Sequence, residues 1–272
     1  MTTTAVDLAT ADIDRVRRGL LGPVRDALAI TQRNLIAYRR VPQLLVFSTI
    51  QPVVFVLMFR FVFGGAIRGI AGFPYVDFLM PGIFAQTVVF GSLATAIGLA
   101  TDLKSGLLER FRSLPMARSA VLAGRTLADL SRNVFVVVLM VVVGVLVGFR
   151  IHGGIPAFVG AMLLVLLFGY AMSWVFATVG LAVGDPETAQ AAAFPVLAPL
   201  VFASSAFVQI DSMPPWLQVW ANHQPVSVTV NAVRDLVLGL PAGSDVFQSL
   251  AWLIGILLVF MPLSVRLYRR SV

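Results

Sequence analysis

Residues 134–149 and 157–183 run without one charged side chain. A helix of roughly 20 apolar residues spans about 30 Å of hydrocarbon, whereas the helix of a soluble domain breaks its apolar face every turn or two. Comparable runs recur along the chain, whose mean hydropathy is +0.91. Charged residues make up 12% of its 272 positions; a soluble domain carries about 25%. The expected fold is therefore an all-α polytopic membrane protein. A transmembrane barrel is disfavoured, because its strands would alternate apolar and polar residues and these runs do not.

Six spans are expected, at about 44–63, 78–100, 134–149, 157–183, 191–208 and 250–267. Pro52 lies inside the first, Pro81-Gly82 near the start of the second, and Pro195 and Pro199 in the fifth, which is expected to be kinked or broken. Residues 1–19 read as a polar leader with no apolar core of the signal-peptide kind, so no removal is expected, and residues 20–272 as one transmembrane domain. Residues 20–40 place Leu20, Val24, Leu28 and Leu35 near one helical face and fit an interfacial helix or a solvated basic leader. Between spans five and six, Pro214-Pro215 with Trp216 and Trp220 point to two short interfacial helices, the second over about 227–238 and stopped by Gly239.

Of the 20 basic residues, 16 fall in the N-terminal segment, in the loop at about 102–133 and in the tail. The remaining four, Arg60, Arg68, Arg150 and Arg234, fall on the other side. The positive-inside rule then puts both termini in the cytoplasm. A net charge of +7 in so apolar a chain reads as topogenic charge beside anionic lipid, and no nucleic-acid partner is expected.

The chain has no cysteine, and its two histidines, His152 and His223, stand in separate loops without acidic clusters around them. No metal site and no catalytic residue are expected. Its one lysine, Lys104, lacks the preceding glycines of a phosphate-binding loop, so ATP is not expected on this chain. Membrane-depth ionisable groups, the usual equipment of ion-coupled carriers, look absent, because the acids read as lying at borders or in loops. Arg60, the deepest candidate, sits where it can snorkel to the headgroups or take part in gating. Gly144 and Gly148 form a GxxxG, a weak packing motif, and Ser204-Ser205 read as helix-packing residues.

The most distinctive constellation lies after span two. Leu107, Leu108, Phe111 and Leu114 fall near one helical face, Glu109, Arg110 and Arg112 around the other, and Pro115 ends the segment. Such a helix can rest on another protein and transmit its movement, or lie in the headgroup interface.

The string Leu107-Leu108-Glu109-Arg110-Phe111-Arg112-Ser113-Leu114-Pro115-Met116-Ala117-Arg118 resembles the signature of type-2 ABC-exporter permeases, particularly the daunorubicin-resistance-like branch. Phe61-Val62-Phe63-Gly64-Gly65, Leu79-Met80-Pro81-Gly82-Ile83, Pro186-Glu187-Thr188-Ala189-Gln190 and Met213-Pro214-Pro215-Trp216-Leu217 extend the likeness over roughly residues 25–270. The chain departs from it at Asn222-His223-Gln224-Pro225, where an Asn-Pro pair is commoner.

The resemblance implies a non-catalytic membrane subunit of an ATP-driven exporter of hydrophobic drugs or lipid-like metabolites, in a bacterial inner membrane. Leu107, Leu108, Glu109, Arg110, Phe111, Arg112 and Leu114, closed by Pro115, would form the helix that couples to a nucleotide-binding subunit. The interfacial helix with Arg25, Arg33, Arg39 and Arg40 would meet the same partner. Two copies of that subunit, holding ATP and Mg, would dock under two permeases, identical or related. A candidate substrate path uses Phe84, Gln86, Phe90 and Phe202. Export of a lipid-linked glycan is a same-family alternative, and an ion-coupled secondary carrier or a membrane enzyme are the alternatives from other classes.

Overall fold

The computed structural model describes residues 22–40, 42–64, 72–107 and 118–271. Regular structure among the described residues is helical throughout. Helix α1 (Gly22–Arg40) is followed by α2 (Pro42–Leu57), which widens into a π-helix over Met58–Phe63. Then come α3 (Tyr75–Lys104), α4 (Arg118–Leu146), α5 (Gly154–Val183) and α6 (Pro186–Phe202). The chain closes with α7 (Pro215–His223), α8 (Pro225–Leu238) and α9 (Gly243–Ser271).

Four described helices are long and apolar enough to cross a membrane: α3, the 121–146 part of α4, α5 and most of α9. The apolar stretch Thr49–Val62 is shorter. Helix α6 is shorter too, at 17 residues, and ends where Ala203 leaves helical geometry at φ −93° and ψ 46°. Residues 203–208, expected to finish the fifth span, are turns instead. Pro195 and Pro199 explain the early stop, since each removes a backbone donor from the helical ladder. At the other end α6 begins sooner than its apolar run does, because Asp185 caps it by accepting from the Thr188 amide at 3.0 Å.

The basic loop expected over 102–133 is also shorter. Residues 118–133 belong to α4, one helix of 29 residues, and the third span starts within it. Their charges look like loop charges in sequence, yet Arg132 and Asp129 are buried and Arg125 is half-buried against α3. Gly148 of the GxxxG lies past the helix end in a left-handed turn at φ +104°, so only Gly144 packs within it, against Met80.

The centre of the bundle is α5, which packs on α3, α9, α8 and α4. Small residues allow the closest approaches. A side chain at Gly180 would collide with the Ala96 carbonyl, and Ser92 Oγ donates across to the Gly169 carbonyl at 3.1 Å. Phe78, Ile83, Phe84, Val88, Phe168 and Phe176 fill the core between these helices. Helix α1 lies along α4, where Thr31 Oγ1 donates to the Gly124 carbonyl at 3.1 Å and a Cβ at Gly124 would meet Ile30 Cβ at 2.7 Å.

Candidate functional site

Helices α3 and α4 face each other through a ladder of polar side chains. On α4, Arg125, Asp129, Arg132 and Asn133 recur at helical spacing on one face. Arg125 pairs with Asp102 at 2.9 Å, Thr95 donates to the Asp129 carboxylate, and Arg132 donates to the Gly91 carbonyl and, at 3.2 Å, to Asn133 Oδ1. Glycines on α3 make the room. A Cβ at Gly98 would occupy the Arg125 guanidinium position, and one at Gly91 would stand 2.8 Å from Arg132 Nη2.

Beside this ladder a cavity of about 450 Å³ opens between α2, α3 and α4. Its apolar wall includes Phe90, Leu93, Ile97 and Val136, and Gln51 and Pro52 of α2 close one side. Gln86, Arg132 and Asn133 supply its polar end at 3%, 7% and 3% exposure. Gln86 Oε1, Arg132 Nε and Asn133 Nδ2 are buried there without a hydrogen-bond partner in the protein. Each such group costs about 1–3 kcal/mol if nothing satisfies it.

At the opposite end from Tyr75, α3 finishes at Lys104, whose Nζ lies 2.7 Å from Asp185. The Lys104 ammonium, with the Thr188 amide and hydroxyl, holds the Asp185 carboxyl down at about 2. This bridge ties the last turn of α3 to the first turn of α6. Three residues further on, Leu107 is the last described residue before the expected coupling segment. Leu108, Glu109, Arg110, Phe111, Arg112, Leu114 and Pro115 lie outside the described residues. In α1, Arg25 and Arg33 are exposed, and Arg39 and Arg40 close the helix.

The substrate-path residues separate. Gln86 and Phe90 line the cavity. Phe84 is fully buried in the core with its ring edge-on to Phe149, centroids 6.0 Å apart. Phe202 joins Phe55, Phe59 and Phe207 in an aromatic cluster between the α2 region and the end of α6.

Several residues of note are not evident from the sequence. Arg234 reads there as an outer-side charge, yet it is 5% exposed, and donates to the Phe78 and Ser205 carbonyls at 3.2 and 2.6 Å and to Asn231 Oδ1 at 2.9 Å. Its signal was available: Arg234 falls on the stripe Val226, Val230, Val233, Val237 that α8 buries. Asp77, in the first turn of α3, is buried, accepts from the Arg150 amide at 2.9 Å and stands 3.8 Å from His152 Nδ1. Burial and the neighbouring Asp245 carboxyl push Asp235 up to about 6, against the pull of Arg234. Trp216 and Trp220, expected as interfacial anchors, are exposed on α7. Among the described residues no cluster of three or more His, Asp or Glu could hold a metal.

Buried Asp129 and Arg132 also correct the argument that the helices lack ionisable groups in their interior. What disfavours an ion-coupled carrier is kinship rather than composition. The family model for ABC-2 type transporters matches residues 25–238. The daunorubicin resistance ABC transporter permease protein DrrB1 of Streptomyces coeruleorubidus is 38% identical over 239 residues, covering 88% of this chain and 84% of the relative. The doxorubicin resistance ABC transporter permease protein DrrB of Mycobacterium tuberculosis is 30% identical over 237 residues, covering 78% of this chain and 80% of the relative. Most of the chain is thus accounted for by one kind of protein, and it belongs to the ABC-2 type transporter family as a multi-pass membrane permease similar to the drug-resistance members.

Proposed function

We propose that this permease moves hydrophobic drugs or lipid-like metabolites outward across a bacterial inner membrane. Power comes from ATP and Mg bound to a separate nucleotide-binding subunit, two copies of which dock under two permeases, identical or related. Residues 20–272 act as one permease domain with six crossings and both termini in the cytoplasm; residues 1–19 are its leader. The N-terminal helix, with Arg25, Arg33, Arg39 and Arg40, and the segment from Leu107 to Pro115 form the cytoplasmic receptor for that subunit, and Glu109, Arg110 and Arg112 meet it.

One observation carries this reading: identity to resistance permeases extends over nearly the whole chain. The geometry is compatible with it. The Lys104–Asp185 bridge connects the helix that leads into the coupling segment with the proline-containing α6. A push received after Lys104 therefore has a route into the bundle.

The test is co-expression of the tagged chain with the ATPase encoded beside it, followed by purification in mild detergent. Co-elution with vanadate-sensitive hydrolysis that daunorubicin stimulates supports the proposal. A stable chain that never recruits an ATPase would overturn it.

A further inference from the structure

We propose that the C-terminal end of α4, where Arg60 and Arg150 converge, binds the phosphate of an anionic phospholipid whose acyl chains run along Phe61, Val62 and Leu146.

Four basic residues, Arg60, Arg68, Arg150 and Arg234, read as lying on the side away from the other sixteen. Arg234 is buried and engaged with Phe78, Ser205 and Asn231, and Arg68 lies outside the described residues. The remaining two come from different elements, the π-helix after α2 and the turn after α4, and reach the same place. Arg60 Nε donates to the Val147 carbonyl at 3.4 Å, and Arg150 Nη1 to the Val145 and Phe149 carbonyls at 3.4 and 3.2 Å. All three acceptors lie in the stretch from Val145 to Phe149, so two guanidinium groups stand at one helix end.

Closing that end does not require them. With Gly148 at φ +104°, the Phe149 amide donates to the Gly144 carbonyl at 2.9 Å and the Gly148 amide to the Val145 carbonyl at 3.2 Å. This pairing stops a helix with backbone alone. The arginines therefore add positive charge beyond what the cap needs, and among the described residues neither has a carboxylate within ion-pair distance. Asp77 is buried, with one oxygen on the Arg150 amide and the other 3.8 Å from His152 Nδ1. The loop at 65–71 contributes no acid to the corner.

The surroundings select a lipid over a free anion. Arg150 is exposed and Arg60 half-buried, and Leu146, Phe61 and Val62 are among the most exposed apolar side chains described. Apolar surface at the end of a membrane helix meets acyl chains, while an arginine beside it reaches the headgroups. Arg60 Nη1 and Nη2 and Arg150 Nη2 make no hydrogen bond to the described residues, which leaves donors for the paired contacts that a guanidinium makes with phosphate. Phosphatidylcholine brings its own cation to that phosphate, whereas phosphatidylglycerol leaves the negative charge to the protein.

The full chain is placed in phosphatidylcholine nanodiscs containing a trace of phosphatidylglycerol with a diazirine near the head of one acyl chain. Phosphatidylcholine with the same diazirine is the control. After irradiation, peptides containing Phe61 and Leu146 are expected to carry roughly tenfold more label from phosphatidylglycerol than from the control. Reading individual peptides separates this corner from the basic residues at the other end of the bundle. The double substitution Arg60→Gln with Arg150→Gln is expected to equalise the two labels there.

Should the double variant fail to fold, Arg150→Gln alone gives the test, since that side chain bonds only carbonyls within five residues of itself, and a several-fold loss of the preference is expected. Equal labelling of the unsubstituted chain overturns the proposal, and is the result a second permease seated on this corner would give. A preference that survives in the folded double variant also overturns it. Loss of label on adding excess glycerol 3-phosphate would show a site for free phosphate esters and overturn the lipid assignment. No step requires ATP turnover, so the export reading stands or falls separately.

Discussion

The guanidinium carbon of Arg234 lies 3.8 Å from the centroid of the Phe78 ring, a cation–π stack between α8 and the first turn of α3. The same guanidinium holds the carbonyls of Phe78 and Ser205, so one buried side chain joins α3, the turn after α6, and α8. Together with the Tyr75 hydroxyl, which donates to the Phe207 carbonyl at 3.0 Å, it closes the end of the bundle opposite Lys104.

Arg234→Leu strands those two carbonyls and should destabilise the fold by about 3 kcal/mol. Arg234→Lys keeps the charge but loses the planar fork and the stack, and should recover only part of that loss. Thermal unfolding of the detergent-solubilised chain measures both; a wild-type midpoint for Arg234→Leu would refute the joining role.

Gly82→Ala should be among the most damaging single-methyl additions in the protein. Its Cβ would overlap the Ala206 backbone, which has no flexible end to move away. A loss of about 3 kcal/mol is expected, at the upper part of the overpacking range. Gly255→Ala, where a Cβ meets nothing within 4 Å, is the matched control and should be neutral or slightly stabilising in the same assay.

Asp235 links stability to pH. Its carboxyl, pushed up to about 6 in the fold, stands above the ordinary aspartate value of 3.8, so folding favours the protonated acid. The stabilising contribution is complete below about pH 4 and is lost as the pH rises through about 6. Amide exchange at the junction of α8 and α9 should accordingly quicken between pH 4.5 and 7 beyond the intrinsic pH effect, and Asp235→Asn should flatten that excess.

Asp185→Ala should loosen the first turn of α6 more than Lys104→Ala does. The first change removes both the bridge and the helix cap, whereas the second removes only an exposed ion pair that salt screens. Amide exchange at Thr188 and Ala189 distinguishes them, and equal effects would show that the cap contributes nothing.

Arg112→Glu should reduce co-elution of the nucleotide-binding subunit without altering membrane insertion. Unchanged co-elution and transport would remove this residue from the docking surface.

A helix whose own apolar run carries no charge was legible from sequence, and the charged start of α4 was not. Helix α5, expected at 157–183, is found at Gly154–Val183, because an uninterrupted apolar run leaves the chain no cheaper arrangement. The start of α4 is hidden in the sequence because Arg125 and Arg132 look like loop charges until Gly98 and Gly91 of α3 are seen opposite them. At the cavity, helical geometry sorted the aromatic candidates. Gln86, Phe90, Leu93 and Ile97 follow one another at i, i+4, i+7 and i+11 and share a face. Phe84, two positions before Gln86, points about 200° away from it and enters the core.

Helix α3 contains 30 residues, a rod of about 45 Å, well beyond the hydrocarbon thickness of a bilayer. Its far end is gripped by Arg234, Tyr75 and the Gly82–Ala206 contact, and its near end by Lys104 and Asp185. Between those contacts the helix is continuous, with Pro81 its one internal proline. Phe90, Leu93 and Ile97 lie between the two anchored ends, so the cavity wall they form belongs to one continuous strut, and the cavity's width is set by how that strut stands against Gln51 and Pro52 of α2.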